Sequence, residues 1–434
     1  MDNSMRETDR LLKQLESDPD NIDLLFDLAY AYGKEKSRTE AIHVMVRLLK
    51  QTLPLDEWGN AKRWLGFLHY RENDLSAAIE IANELLDANI DAYNNGHAHH
   101  LMARCLLEKS LYAKETTLSE QYRVEAVQHL EQAASLLETE GEERAEILVL
   151  WGTELRLQGR LDKANDVLNS ALRMLPDGSR TAGMCHEQLG LIAYDGPQDY
   201  ENAVLHLEKA IKILLGTDPD YLLTWAYGNL SQAYVWLEEY DKALVNAQRS
   251  LETAGYGDKD RKAQFVNAHQ VCGDAYYYSE RDLAQAQKHY KAYLKLLDKE
   301  ETARQGFTLM KLADIDRLTG KYRRALKGFR KALAFDPPGT DYGALYAAMG
   351  ECASKSGQFD EAVKAYTAAI ENSGDDKEVL ADRNLSLGHG LFELKRYREA
   401  AEAYREGLRY VDPKAPEREE LMTYLVAANE LMSH

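Results

Sequence analysis

One pattern of small and large residues recurs along nearly the whole chain. It is clearest in LTGKYRRALKGFRKALAFDPPG, residues 318–339. Tyr322, Ala325 and Phe329 lie at i, i+3 and i+7, which places them on one face of an α-helix, while lysine and arginine fill much of the rest. A glycine just before this helix favours a turn, and a proline after it ends the helix. The spacing therefore predicts a half-buried helix that needs a neighbour to cover its apolar stripe.

The same unit of helix, tight turn and helix returns at intervals of 37 to 49 residues. Each unit has a small residue in the middle of its first helix and an alanine near the start of its second. The small residues are Ala29, Gly66, Ala103, Gly152, Gly190, Ser231, Gly273, Ala313, Gly350 and Gly388. The alanines are Ala41, Ala78, Ala126, Ala164, Ala203, Ala243, Ala286, Ala325, Ala362 and Ala400. Neither helix can bury its stripe alone, so the units are expected to stack.

These residues resemble the tetratricopeptide-repeat family. In WGTELRLQGRLDKANDVLNSALRMLP, residues 151–176, an alanine follows the small residue by twelve positions, and a large residue, a second alanine and a proline come after it. The resemblance covers about residues 22–412 and implies an all-α fold, a right-handed α-solenoid (superhelix) of about ten helix-turn-helix units. Most units exceed the 34 residues typical of the family. The longer period suggests longer helices, as in its extended-repeat members.

The two ends of the chain predict helices that cap this array. Residues 1–21 place Leu11, Leu12 and Leu15 on one stripe, like the second helix of an incomplete unit. Residues 413–434 predict a single closing helix. Because the terminal units of a solenoid need a polar outer face, both segments are expected to be caps. The array of about ten units is then expected to occupy residues 22–412.

The third unit is longer than the others. It has eleven extra residues between its small residue and its alanine, within EKSLYAKETTLSEQYRVEAV. That segment contains no proline or glycine, the residues that most strongly interrupt regular structure. We therefore expect longer helices that project from the solenoid, in preference to a flexible loop.

Composition and charge exclude several classes of function. The chain has 53 basic and 72 acidic side chains and a net charge of −19, which disfavours nucleic-acid binding through counterion release. No apolar run approaches the length of a membrane span, and the N-terminus lacks the apolar segment of a secretory signal. A cytoplasmic location without membrane insertion is the expectation. Cysteines without paired spacing are expected to be buried, reduced thiols; they are Cys105, Cys185, Cys272 and Cys352.

The sequence contains no convincing catalytic arrangement. His97 and His100 lie at i and i+3, a spacing that can share a metal ion, but no third ligand is evident. We expect no enzymatic activity and no cofactor. The alternative, from a different class of function, is a metal-dependent enzyme centred on His97 and His100.

Basic side chains collect on two second helices, between Lys288 and Lys331. We interpret them as a solvated outer face, with a patch for an acidic partner as the alternative.

Function is expected on the side of each first helix opposite its packing stripe. If the family geometry holds, that side lines the concave groove of the solenoid. Amides there can pair with a peptide backbone and arginines with carboxylates. The predicted groove residues are Arg63, Phe67, Tyr70, His97, His100, Arg104, Arg156, Tyr194, Trp225, Gln232, Asn267, Gln270, Asp274, Tyr277 and Asp314. The alternative, that these side chains only pack against neighbouring helices, stays open.

We therefore predict a non-enzymatic scaffold or adaptor that binds a peptide segment or a partner protein in this groove. The alternative is a peptide-sensing regulatory protein whose superhelical pitch changes on binding; self-association is a further option. Basic groove residues lie in units two to four, and acidic ones in units seven to ten. Because like charges repel, this distribution favours a partner whose acidic part lies toward the N-terminal units.

Overall fold

The computed structural model describes residues 6–113, 115–137, 141–216, 222–255, 261–412, 415 and 417–432. This part of the chain contains 22 α-helices and no β-strand, so the all-α prediction is confirmed. The contacts divide the chain into two compact units, residues 1–218 and 219–434. The predicted caps extend outside the described residues at 1–5, 413–414, 416 and 433–434.

The first compact unit contains eleven of the described helices. They are α1 (Glu7–Leu15), α2 (Ile22–Lys34), α3 (Arg38–Leu48), α4 (Leu55–Arg71), α5 (Leu75–Ala88), α6 (Ala92–Tyr112), α7 (Thr116–Leu136), α8 (Glu142–Leu157), α9 (Leu161–Met174), α10 (Arg180–Asp195) and α11 (Tyr200–Leu215). Several begin at a side-chain cap. Asn21 and Asp91, for example, accept hydrogen bonds from the backbone N–H groups of Leu24 and Asn94, at 3.0 and 2.6 Å. Such a cap satisfies an N–H group that has no partner within the helix.

The second compact unit contains the other eleven. They are α12 (Leu222–Trp236), α13 (Tyr240–Thr253), α14 (Arg261–Tyr278), α15 (Leu283–Leu296), α16 (Thr302–Leu318), α17 (Tyr322–Leu333), α18 (Tyr342–Lys355), α19 (Phe359–Glu371), α20 (Lys377–Glu393), α21 (Tyr397–Tyr410) and α22 (Glu417–Met432). From α2 to α21, consecutive helices pair into ten hairpins. First helices of successive hairpins also contact each other, as α4 with α6 and α12 with α14 do. Each compact unit is therefore a stack of helical hairpins.

Several of the recurring small residues lie where another helix approaches closely. All ten alanines near the starts of the second helices are fully buried. At Gly152 of α8, a Cβ atom would lie only 2.6 Å from Cγ of Leu168 on α9. Glycine is needed there because a larger residue would push the helices apart. The sequence register predicted for the hairpins is confirmed.

The long third unit forms the two longest described helices, since α6 and α7 each have 21 residues. This confirms the expectation of longer helices. At the end of α6, Leu111 and Tyr112 are 75% and 67% exposed. The hairpin therefore carries an apolar end that its neighbours do not cover.

The terminal helices depart from the expectation in two respects. Leu11 and Leu15 of α1 are buried, but Leu12 is 43% exposed, so its assignment to the buried stripe was wrong. A helix of nine residues with one neighbour buries only a narrow face. On α22, Met422 and Val426 are exposed. The outer face of the C-terminal helix is therefore not uniformly polar.

The four cysteines are free and buried, as expected. Burial raises the pKa of each thiol to about 12. The reactive thiolate form is therefore suppressed, and the side chains act as small apolar residues in the core.

Candidate functional site

A cavity of about 360 Å³ lies between the first helices α4, α6 and α8 of the first compact unit. Six predicted groove residues line it together: Arg63, Phe67, Tyr70, His97, His100 and Arg104. The other lining residues are Trp64, Leu68, Arg71, Glu143 and Glu146. Positions four or three residues apart on α4 and α6 project the same way from their helices. The predicted offsets therefore bring side chains of two successive units to one place.

One wall of the cavity is a connected polar group. The guanidinium of Arg63 donates to the hydroxyl of Tyr93 at 2.6 Å and lies over its ring, 4.6 Å from the centroid. The Tyr93 hydroxyl in turn donates to Oε2 of Glu143 at 3.4 Å. The same oxygen lies 3.4 Å from Nε2 of His97. Glu143, at the start of α8, therefore lies close to Tyr93 and His97 of α6.

The two histidines form the buried floor of the cavity. Burial, with the nearby Arg63, lowers the pKa of His97 to about 4, although Glu143 opposes this shift. Burial, with Arg104 and His97, lowers the pKa of His100 to about 3. Both rings are therefore neutral at physiological pH. Nε2 of His97 is buried without a hydrogen bond among the described residues.

The opposite wall carries a guanidinium group that is available to a ligand. Arg104 lies over the ring of Tyr70, 5.1 Å from its centroid. It makes no hydrogen bond or close ion pair with any residue that the structure describes. The pKa of Glu146, near Arg104, is raised because the surrounding protein displaces water, and the charges of Glu142 and Glu143 add to this shift. The site thus offers N–H donors beside an aromatic surface.

The other two predicted groove residues of this compact unit lie elsewhere. Arg156 is engaged within the protein, donating to Oε1 of Gln188 at 3.0 Å and to Oδ2 of Asp195 at 2.7 Å. Tyr194 packs against Tyr200 with the ring centroids 5.4 Å apart. Neither lines the cavity.

In the second compact unit, three predicted groove residues make hydrogen bonds within the protein. The hydroxyl of Tyr277 donates to Asp314 at 2.6 Å. Arg317 donates to Asp314 at 2.8 Å and to Glu351 at 2.9 Å. Asp274 accepts a hydrogen bond from Tyr290 at 2.6 Å, and burial raises the pKa of its carboxyl. The acidic groups here are largely engaged within the protein.

The remaining predicted residues are half-buried side chains on α12 and α14: Trp225, Gln232, Asn267 and Gln270. Nδ2 of Asn267 is buried and, within the described residues, has no hydrogen-bond partner. These four residues do not line the cavity of the first compact unit.

The predicted groove residues do not include five residues that line the cavity. Trp64, Leu68 and Arg71 lie beside predicted positions on α4. Their helical spacing from Arg63 and Phe67 could have predicted that they face the same side. Glu143 and Glu146 come from the first turns of α8, about fifty residues after α6 begins. Nothing in their local sequence indicates that they reach the previous hairpin.

Across the described residues, no group of three or more His, Cys, Asp or Glu side chains is placed to hold a metal ion. None of the described helices combines the length and apolar character that crossing a membrane requires.

The stacked hairpins define an α-solenoid, a fold class that in general serves as a scaffold for protein interactions. Residues 344–376, in α18 and α19, match the family model for the tetratricopeptide repeat. This segment is therefore similar to one tetratricopeptide repeat, and the ten hairpins keep the register that the resemblance predicted. A comparison with curated proteins finds no match.

Several solved structures are similar to the chain. YrrB, a tetratricopeptide-repeat protein with an unusual peptide-binding site, is 17% identical, with 49% of this chain and 96% of YrrB covered and a TM-score of 0.38. The Cut9–Hcn1 hetero-tetramer of the APC/C is 14% identical, with 98% and 86% covered and a TM-score of 0.44. Yeast Tom70 is 13% identical, with 98% and 92% covered and a TM-score of 0.37.

Proposed function

We propose that this protein is a non-enzymatic scaffold or adaptor that binds a segment of a partner protein, with one acidic side chain of that segment held in the cavity. The observation that carries the proposal is the meeting of six predicted groove residues around one space. The guanidinium of Arg104 faces it without a hydrogen bond to any described residue, whereas Nε2 of His97 already has Oε2 of Glu143 at 3.4 Å. Donors without acceptors favour a ligand that supplies acceptor oxygens.

The charge of the lining favours a single carboxylate over a doubly charged group. Three guanidinium groups and two carboxylates line the cavity, and both histidines are neutral because burial lowers their pKa. One positive charge is therefore in excess, which one carboxylate balances. A phosphate dianion would leave the site negative and bring its charge close to Glu143 and Glu146.

The size and shape of the lining favour a peptide segment as the source of that carboxylate. The cavity lies at the small end of ligand pockets, which span roughly 300–1,000 Å³. Trp64, Phe67 and Tyr70 offer apolar faces beside the arginines. A segment with an apolar or aromatic residue next to an aspartate or glutamate would use both parts of the site.

We further propose that the array of residues 22–412, closed by caps at 1–21 and 413–434, orients the partner by charge. Arg317 pairs with Asp314 and Glu351, so the acidic end is partly neutralised within the protein. Steering would then depend mainly on the basic cavity. Such steering should weaken as the Debye length falls from about 10 Å at 0.1 M salt to about 3 Å at 1 M.

The proposal can be tested once a partner segment has been captured from the native source and identified by mass spectrometry. Its affinity should fall at least about tenfold in the double variant Arg63→Glu and Arg104→Glu, since two attractive contacts become repulsive. The matched control is Arg323→Glu with Lys327→Glu, two exposed cations on α17. Arg324 is unsuitable as a control because it pairs with Asp316, whose side chain is only 10% exposed. An equal loss from both double variants, or no loss from the cavity variant, would refute the cavity model.

A further inference from the structure

Three pairs of histidines occupy the same place in three hairpins. The first member of each pair lies four residues before the small residue of the first helix, and the second lies three residues after the alanine of the second helix. In each pair the two Nδ1 atoms face each other. The distances are 2.7 Å for His99–His129, 3.0 Å for His186–His206 and 3.1 Å for His269–His289.

The geometry is that of a hydrogen bond between imidazoles. The ring centroids are 5.0, 5.2 and 5.3 Å apart. At the observed Nδ1–Nδ1 distances, two imidazole rings cannot have their centroids much farther apart than this. The rings therefore meet head-on and do not converge side by side on a third atom, as two ligands of one metal ion would. One ring must carry its proton on Nδ1 and donate it, while the other must carry its proton on Nε2 and accept.

The surroundings of the pairs favour their neutral forms. Burial lowers the pKa of all six rings, to about 4 for His206 and His289. Lys209 of α11 acts on the second pair and Lys288 of α15 on the third, and each lowers the pKa further. The ring of Tyr276 stacks on His289, with the centroids 5.9 Å apart. Among the described residues, no carboxylate raises the pKa of any of these rings.

We propose that the three histidine pairs are acid-sensitive latches that join the two helices of the α6–α7, α10–α11 and α14–α15 hairpins. One added proton leaves the N–H···N bond in place, now donated by an imidazolium. A second proton removes the acceptor and sets two positive charges about 3 Å apart, so the rings separate and the hairpin loosens. This inference is independent of the proposed partner cavity. Below the ordinary histidine pKa of about 6.5, acidification then favours the open form of chosen hairpins in both compact units, because separated rings take up protons that the closed pair resists.

The chain contains its own control. At the same two positions, the α8–α9 hairpin has Leu148 and Val167, which cannot titrate. Hydrogen exchange of the full-length protein should be measured between about pH 7 and about pH 4.5, which spans the ordinary pKa of histidine, and corrected for the intrinsic rates. We expect protection of the three histidine hairpins to fall at least about tenfold more than protection of α8–α9. Equal losses in all four hairpins, or no loss in the histidine hairpins, would overturn the proposal.

Replacement of each histidine pair by the leucine and valine of the control hairpin tests whether the pair acts as an acid-sensitive latch or only fills space between the helices. The substitutions are His99→Leu and His129→Val, His186→Leu and His206→Val, and His269→Leu and His289→Val. The replaced α10–α11 and α14–α15 hairpins should keep their protection at acid pH, while the untouched pairs still respond. The replaced α6–α7 hairpin should keep only part of its protection, because the buried His97 and His100 of α6 also resist protonation in the folded state. Nitrogen NMR at neutral pH should detect one Nδ1–H and one Nε2–H tautomer per wild-type pair. A replaced α10–α11 or α14–α15 hairpin that still loosens in acid, or two identical tautomers within a pair, would contradict the latch.

Discussion

Tyr366 and Tyr404 occupy equivalent positions in successive hairpins, yet only the hydroxyl of Tyr366 has a hydrogen-bond partner. Each lies four residues after the buried alanine of its second helix and packs against the glycine of its first helix, Gly350 or Gly388. Tyr366 bonds with Ser386. The hydroxyl of Tyr404 is buried and, among the described residues, unpartnered. The α16–α17 hairpin has a phenylalanine at this position, so the fold does not require a hydroxyl there.

Replacement of these tyrosines by phenylalanine should therefore have opposite effects. Tyr404→Phe removes a hydroxyl that is buried without a partner, and should leave the free energy of unfolding unchanged or raise it by up to about 1 kcal/mol. Tyr366→Phe breaks a hydrogen bond and should lower it by about 1 kcal/mol. Urea unfolding of both variants checks this, and a clear loss of stability in Tyr404→Phe would show that its hydroxyl has a partner.

The close approach of α8 and α9 gives a second prediction. Gly152→Ala should destabilise the protein by about 1–3 kcal/mol, because the new methyl group would overlap the side chain of Leu168. Gly178→Ala is the matched control, since a Cβ atom there has no atom within 4 Å. Thermal unfolding of both variants measures the difference. Similar melting temperatures would mean that the hairpin adjusts without strain.

The register of the hairpins was predictable because packing depends on local sequence. A small residue opposite a large one is required wherever two helices approach, and that requirement repeats in every unit. Contacts between polar side chains on different helices were not predictable in the same way. Glu143 reaches the cavity from the next hairpin, and His186 meets a ring twenty residues away, because the rotation of each helix about its axis decides these contacts. No short pattern in the sequence encodes that rotation.

The predicted groove residues illustrate the same limit. The offset that selected Arg63 and Arg104 also selected Arg156, which binds Asp195 instead of lining the cavity. The offset selects equivalent positions on successive first helices. Whether a side chain at such a position stays available depends on the lengths and charges of its neighbours, which only the structure provides.

The buried His100 should make stability depend on pH. Its pKa is lowered to about 3 in the folded protein, against about 6.5 in an unfolded chain. The unfolded state therefore binds the proton first as pH falls, so the stabilisation is complete above about pH 6.5 and is lost progressively toward pH 3. His100 alone contributes up to about 1.4 kcal/mol per pH unit in this window.

This contribution can be measured by urea unfolding at a series of pH values. His100→Gln cannot titrate and should reduce the slope of stability against pH, whatever its effect on stability at neutral pH. His43→Gln, at an exposed position on α3, is the matched control for the loss of an imidazole. An unaltered slope in His100→Gln would show that this ring is protonated without resistance in the folded state.

Removal of residues 416–434 should expose the last hairpin and promote self-association. In α22, Leu421 and Ala428 are buried in one cluster with Leu391 and Tyr404, and the ring of Tyr424 stacks on Tyr404 with the centroids 5.8 Å apart. Each large side chain uncovered by the deletion costs about 1.5–3 kcal/mol, an upper value because the unfolded chain also buries some surface. The melting temperature should fall, and light scattering should detect dimers or larger species.

Two point variants distinguish the contribution of the buried face of α22, which covers the last hairpin, from that of its exposed apolar face. Leu421→Ala removes a buried side chain and should cost about 2–5 kcal/mol. Met422→Gln, on the neighbouring exposed position, should leave the melting temperature unchanged, because Met422 is 44% exposed. If the truncated protein stays monomeric with an unchanged melting curve, α22 does not cap the array. If Met422→Gln is as damaging as Leu421→Ala, the outer face of α22 is itself covered in solution, and self-association through that face would explain it.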